Sequence, residues 1–216
     1  MKKKYVIFDF DGTMVNTNGI IMASWQATLE HYLGHRLPEQ VVEATYGETL
    51  VCSIGRLIPD APVDEVVNYY RHYQDTHKEG AVNVFDGVSE LMHELKARGH
   101  RLGVATSRTT YSYLNYMKEL GLEGLVEETV TMEDVTAHKP DPESLLVVLR
   151  KFDPEFDPAD AIMIGDTKFD IGCANNAGVD SVLVGWSHYV DEEDLERSGF
   201  APTYRINTPA ELLELV

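Results

Sequence analysis

Two aspartates one residue apart, Asp9 and Asp11, close an apolar run in Tyr5-Val-Ile-Phe-Asp-Phe-Asp-Gly-Thr-Met-Val15. Side chains two apart on a strand point the same way, so both carboxylates leave the strand end together. Like charges held that close raise each other's pKa unless a cation sits with them. Further along lie Thr106 and Ser107, followed by Arg108; Lys139 in His138-Lys-Pro-Asp-Pro-Glu143; and Asp166 with Asp170 one helical turn on. Phosphoryl transfer can use every member of this set. A carboxylate, Asp9, can attack phosphorus and carry the group as an aspartyl-phosphate. A divalent metal then reduces repulsion between two anions, and Mg²⁺ takes oxygen ligands, a few of them carboxylates. Asp9 and Asp166 can supply side-chain oxygens, and Asp170 either a ligand or a hold on bound water. Asp11 can protonate the leaving oxygen and later activate the hydrolytic water. The Thr106 hydroxyl and the Ser107 backbone N–H can hold phosphoryl oxygens, while Lys139 adds positive charge. Each group also has a plainer reading alone: Asp-Gly is a common turn, and Asp166 fits a helix cap. Their joint order is what the plain readings leave unexplained.

The elements that must position these groups alternate in type. Lys4–Asp9 reads as a strand, and Asn18–Leu33 carries apolar residues at helical spacing up to Gly34. Val41–Tyr46, Thr49–Ile58 and Val63–His77 continue as helical patterns, with no convincing strand between Val15 and Gly80. From Val84 the texture changes. Helices at Gly87–Arg98, Tyr111–Leu120, Pro142–Lys151 and Phe169–Ala177 alternate with strands at Arg101–Thr106, near Val126–Val130, at Ala161–Gly165 and at Ser181–Val184. Asp141 is expected as the N-cap before Pro142. Such alternation implies an α/β fold, a Rossmann-like doubly wound parallel sheet. Ligands of such sheets bind beyond the carboxyl ends of the strands, where Asp9, Thr106 and Asp166 all fall. The expected organisation is a catalytic core of residues 1–15 and 83–216, with residues 16–82 inserted as an all-helical cap domain.

Composition limits the partners. A chain of 216 residues with 18 basic and 36 acidic side chains, formal charge −18, repels nucleic acid and anionic membranes. No apolar run approaches the ~20 residues that span a bilayer. The basic start, Met1-Lys-Lys-Lys-Tyr5, has too short an apolar run behind it for a signal peptide. Cys52 and Cys173 fit no metal or redox spacing and read as small core residues, so the expected location is the cytoplasm. A monomer is expected, with a homodimer as the alternative.

The segments Asp9-Phe-Asp-Gly-Thr-Met-Val15, Ala105-Thr-Ser107, Lys139-Pro-Asp-Pro142 and Gly165-Asp-Thr-Lys-Phe-Asp170 resemble the four motifs of the haloacid dehalogenase superfamily. The resemblance extends over essentially the whole chain. A helical insert after the first motif resembles the subclass that includes phosphoglycolate phosphatase, β-phosphoglucomutase and the pyrophosphatase PpaX. It implies Mg²⁺ as cofactor, a phosphoaspartate at Asp9, Asp11 as acid and base, and a closing cap. It also implies that Asp11 gives the metal its backbone carbonyl.

Within that superfamily, dehalogenases lack the second aspartate and need no metal, so Asp11, Asp166 and Asp170 point away from them. Mutases carry a histidine twelve residues after the nucleophile, where this chain has Ile21. Their Lys-Gly-x-x-Arg cap stretch is Tyr46-Gly-Glu-Thr-Leu50 here, with both cations lost. Asn16 stands where the family often has Asp, and Phe85-Asp-Gly87 where it has aromatic-Pro-Gly. The expected enzyme is a phosphatase acting on a small phosphorylated metabolite such as phosphoglycolate, pyrophosphate or a sugar phosphate. The alternatives are a phosphomutase and a non-catalytic binding protein on the same fold. Substrate choice is expected from Tyr46, Gly47, Glu48 and Thr49, with Arg108 as the nearest cation for a second anionic group. Glu48 either disfavours such a group or faces solvent.

Overall fold

The computed structural model describes residues 3–187 and 192–216. In chain order the elements are β1 (Tyr5–Phe8), β2 (Val15–Asn16), α1 (Asn18–Leu33), α2 (Glu39–Glu43), α3 (Leu50–Leu57), α4 (Val63–His77), β3 (Asn83–Val84), α5 (Val88–Ala97), β4 (Arg101–Ala105), α6 (Thr110–Glu119), β5 (Glu128–Val130), α7 (Glu143–Phe152), β6 (Ala161–Gly165), α8 (Lys168–Ala177), β7 (Asp180–Val184), α9 (Glu192–Ser198) and β8 (Tyr204–Ile206). Six strands form one parallel sheet in the order β5-β4-β1-β6-β7-β8. This is the expected α/β Rossmann-like architecture. The order reverses direction around β1, so the carboxyl ends of β1, β4 and β6 open onto one crevice.

Strand alternation divides the core. Val6, Phe8, Leu102, Val104, Ile162 and Ile164 face one side, where α5 and α6 cover them with Leu91, Met92, Leu95, Tyr113 and Tyr116. Tyr5, Ile7, Ala161 and Met163 face the other, against Leu145, Val148, Leu149 and Phe152 of α7 and Cys173 of α8. Burying both faces of a parallel sheet accounts for the near-continuous apolar strands. Gly103 in β4 is packed so closely that an added Cβ would stand 2.9 Å from Ile7 and 3.0 Å from Phe152 and Val148.

Helices α1 to α4 pack on one another around a separate apolar cluster of Trp25, Leu29, Val42, Ile54, Ile58, Val66 and Tyr70. The chain enters and leaves this bundle through β2 and β3, which pair antiparallel at Val15↔Val84 and Asn16↔Asn83.

Several local expectations shift. The helix expected at Val41–Tyr46 is Glu39–Glu43, entered from Pro38. The N-cap of α7 is Pro142, although the Asp141 carboxylate still accepts from the Glu143 backbone N–H at 2.9 Å. Cys173 is buried in the core as expected, but Cys52 is exposed on α3, whose apolar face turns the other way with Ile54. Strand β8 and helix α9 lie beyond the last strand expected from the sequence. Short, polar and lacking a clean period, they depend on the sheet edge at β7 rather than on their own pattern.

Gly103→Val should overpack the β4 site and lower unfolding free energy by about 1–3 kcal/mol in denaturant titration. Leu114→Ser, on the exposed face of α6, should stay within about 0.5 kcal/mol of the parent.

Candidate active site

The sheet delivers its chemistry at the strand ends. Asp9 follows β1 directly, its N–H bonded to the Ile164 carbonyl of β6 at 2.8 Å. Its side chain meets Lys139, whose Nζ lies 2.7 Å from Asp9 Oδ1 and 2.7 Å from Asp170 Oδ1. The Lys139 side chain is only 2% exposed. Burial alone would lower its pKa, but Asp170 and Asp9 outweigh that and raise it. Lys139 is therefore a fixed cation at any physiological pH.

Asp170 sits in the first turn of α8 as part of a capping box. Its Oδ2 accepts from the Thr167 N–H at 3.1 Å and the Thr167 hydroxyl at 2.7 Å. Asp166, at the end of β6, accepts from Ser187 Oγ at 2.6 Å and from Thr13 Oγ1 at 3.4 Å. Ser187 also accepts at Oγ from Asn18 Nδ2 at 3.1 Å. Gly12 makes this approach possible: its φ is +70°, and a Cβ there would land on the Asp166 carboxylate.

Carboxylate oxygens of Asp9, Asp166 and Asp170 lie within 4.8 Å of one another, and all three residues are buried. Three carboxylates against one ammonium leave this pocket net negative. Burial pushes the Asp9 carboxyl up to about 7, against the pull of Lys139 and with the help of Asp170 and Asp11. Burial, then Asp170 and Asp9, raise Asp166 as well. A divalent cation bound by oxygen would oppose both shifts by favouring the charged carboxylates, so these residues fit a metal of that kind. Asp9 and Asp166 retain more acceptor capacity than Asp170, whose two oxygens already serve Lys139 and Thr167.

Asp11 stands apart from that cluster. Arg108 grips it twice, Nε to Oδ2 at 2.7 Å and Nη2 to Oδ1 at 2.8 Å, while Thr17 Oγ1 donates to Oδ1 at 2.5 Å. Ser112 holds the remaining guanidinium arm at 2.6 Å, and Arg108 packs over the Tyr116 ring at 4.3 Å. Arg108 was expected as the cation for a second anionic group; its charge is instead matched by Asp11. The Thr106 hydroxyl accepts from the Arg108 N–H at 3.2 Å, turned into the loop that carries the arginine.

A cavity of about 130 Å³ opens above Asp9, Asp11, Ser107 and Asp166. Its far wall comes from the helical bundle. Tyr46, Gly47 and Glu48 line it, but Thr49 does not: its side chain caps α3 by accepting from the Cys52 N–H at 3.4 Å. Glu48 faces the cavity rather than bulk solvent, with its carboxylate held by Ser53 Oγ at 2.8 Å and Arg56 at 3.2 Å. The Gly47 carbonyl accepts from Ser107 Oγ at 3.0 Å, joining bundle to sheet. Gly47 has φ +88°, and a Cβ there would press on Thr167 at 2.6 Å and Phe169 at 2.8 Å. Residues outside the motif segments complete the wall: Ile21 and Trp25 of α1, and Tyr70, Arg71 and Gln74 of α4. Tyr70 and Gln74 are one helical turn apart, which was the available signal that one face of α4 points to a site.

A parallel α/β sheet thus carries buried carboxylates and a lysine at its carboxyl edge, facing helices α1 to α4 across the cavity. The chain belongs to the haloacid dehalogenase-like hydrolase family, whose sequence profile matches residues 6–184. It falls in the branch of that family whose relatives are named as phosphatases. The pyrophosphatase PpaX of Bacillus pumilus is 31% identical over 211 residues, covering 98% of this chain and 95% of that protein. PpaX of Bacillus mycoides is 32% identical over 187 residues, covering 87% and 86%. Among solved structures, a Lactobacillus plantarum protein provisionally named a phosphoglycolate phosphatase shares the fold with TM-score 0.87, 24% identity and full coverage of both chains. A haloacid dehalogenase-like hydrolase from Streptococcus pneumoniae shares it with TM-score 0.81 and 23% identity, covering 99% of this chain and 98% of that one. No helix among the described residues is long and apolar enough to cross a membrane.

The charge imbalance at the carboxylates makes metal binding measurable without turnover. Mg²⁺ at 100 times its Kd should stabilise the fold by about 2.7 kcal/mol, each kcal/mol raising Tm by about 2–4 °C in a chain of this size. Asp166→Asn should abolish that rise in differential scanning fluorimetry; an undiminished rise would place the cation elsewhere.

Proposed function

We propose that this chain is an Mg²⁺-dependent phosphatase that hydrolyses a small phosphorylated metabolite through an aspartyl-phosphate on Asp9. The observation that carries the reading is the buried Lys139, bonded to Asp9 and Asp170 at 2.7 Å each, beside a carboxylate set fit for a divalent cation. A purely structural salt bridge does not account for the extra buried charge of Asp166. The intact second aspartate, Asp11, argues against a binding protein. Ile21 on the cavity wall, where mutases carry a histidine, argues against a mutase.

In the first step an Asp9 carboxylate oxygen attacks phosphorus and the bond from phosphorus to the leaving oxygen breaks. Asp11 donates a proton to that oxygen, so the product departs as a neutral alcohol or its equivalent. In the second step Asp11, now a carboxylate, takes a proton from water, whose oxygen attacks phosphorus and frees the Asp9 carboxylate and inorganic phosphate. Lys139 holds Asp9 in place and faces the negative charge spread over the transferring group. Ser107 and the neighbouring strand-end N–H groups hold phosphoryl oxygens, with Thr106 fixing the loop that presents them. Asp9 and Asp166, with Asp170, would hold the cation, which would supply positive charge against that shared by nucleophile and phosphate.

We assign residues 16–82 as a cap domain that moves as a unit on the β2–β3 ribbon. Support comes from its separate apolar cluster and from the two-point crossing of the chain. The Ser107–Gly47 bond is then one contact of a closed state that keeps bulk water from the phosphoenzyme.

Asp9→Asn should abolish phosphate release. Asp11→Asn should slow it by about 10²–10⁴-fold and let a labelled phosphoenzyme accumulate in rapid-quench samples. Wild-type release by Asp9→Asn would sink the covalent mechanism. For the cap, small-angle scattering should report contraction when Mg²⁺ and an aluminium fluoride phosphate mimic are added; an unchanged profile would mean that the two parts do not move.

A further inference from the structure

Charge accounting around the cavity singles out one group that the catalytic reading leaves unused. Four carboxylates line the cavity, Asp9, Asp11, Glu48 and Asp166, within a chain of formal charge −18. Among the described residues Asp9, Asp11 and Glu48 each have a cation partner and Asp166 has none, so a substrate with a second anionic group needs a positive charge beyond those pairs. Most neighbouring cations are already matched. Lys139 lies behind the wall between Asp9 and Asp170, Arg56 pairs with Glu48, and Arg108 is bound bidentately by Asp11. The cavity's own lining contains two cations, Arg108 and Arg71. Among the described residues Arg71 has no ion pair or hydrogen bond, and its charge pulls on Glu133. Glu133 already accepts from the Thr110 N–H at 2.8 Å. Arg71 is exposed on α4, flanked along the helix by Tyr70 and Gln74, which line the same wall.

Resting on the phosphatase reading above, we infer that Arg71 is the specificity-determining residue of this site, receiving the second anionic group, a carboxylate or phosphate, of a small phosphorylated substrate. Its guanidinium can take a carboxylate or phosphate through two parallel N–H donors. Gln74 adds a neutral donor and acceptor on the same face of α4. The arginine stands on the bundle and the nucleophile on the sheet, so a substrate with anions at both ends bridges the two parts. A phosphate ester with an uncharged leaving group reaches only the sheet side. Glu48 turns away such anions that settle near the Gly47 loop, leaving the α4 wall as their place.

The experiment compares wild type, Arg71→Gln and Arg71→Lys with Mg²⁺ on phosphoglycolate, pyrophosphate and p-nitrophenyl phosphate. Arg71→Gln should raise KM for whichever two-anion substrate wild type hydrolyses by about tenfold or more, as expected for losing a charge-assisted hydrogen bond. Its KM for p-nitrophenyl phosphate should stay within about twofold, and Arg71→Lys should recover part of the loss. Equal KM changes on all substrates, or none, would overturn the assignment while leaving the phosphatase intact. So would a wild type that hydrolyses p-nitrophenyl phosphate but neither two-anion compound. A wild type that releases phosphate from none of the three overturns the phosphatase reading and this assignment with it.

Discussion

One buried ammonium organises this molecule's reactive edge. Removing a lysine charge from water costs several kcal/mol unless its donors are met, and Lys139 meets two carboxylates at 2.7 Å. Those partners come from distant parts of the chain, Asp9 after β1 and Asp170 in α8. The ion triad therefore ties the loop before α7 to the centre of the sheet and to the capping box of Thr167. Around it the backbone has little room: a Cβ on Gly165 would strike the Asp170 side chain, so that strand end accepts glycine alone. Asp166 is then the carboxyl group of the set with no cation partner among the described residues, and burial, then Asp170 and Asp9, raise its pKa.

A second ion pair divides the two aspartates of the first strand end. Asp9 turns to Lys139 and the carboxylate cluster, while Asp11 turns to Arg108 and Thr17. Alternation along a strand sends both side chains toward the same crevice, but neighbouring loops decide what each one meets there. The Arg108 guanidinium is held above its usual pKa: burial works against it, and Asp11 prevails through charge and hydrogen bonds. Such a bidentate pair fixes the geometry of the Asp11 carboxyl group. It also commits Arg108 to a partner within the fold, while Arg71 on α4 lines the same cavity.

Much of the fold was legible because its elements carry strong periodic patterns. The helix at Val63–His77 and the strand at Ala161–Gly165 have the bounds that their sequences suggest. Buried parallel strands read as apolar runs, and glycines after helices mark their ends, as Gly34 and Gly178 do with left-handed backbone. The poorly legible pieces are those whose stability comes from neighbours. The β2–β3 ribbon has two residues on each side, and β8 forms only because β7 offers an open edge. Cys52 was misread because a helix residue's burial depends on which face the bundle covers, and Ile54 takes the covered one.

Residue types and spacing pointed to phosphoryl transfer and to the family: paired carboxylates, a lysine and hydroxyls stand at the ends of alternating strands. Tertiary structure decided which charges remain available. Arg108 and Arg71 are indistinguishable as isolated arginines, yet folding brings one against Asp11 and leaves the other on the cavity wall. Thr49 and Glu48 are adjacent in the chain, but one caps α3 while the other faces the cavity. Charge pairing depends on distances of a few ångströms between segments far apart in the chain, as Asp9 and Lys139 are at 130 positions. Such distances are set by packing across the whole sheet, which no local pattern records.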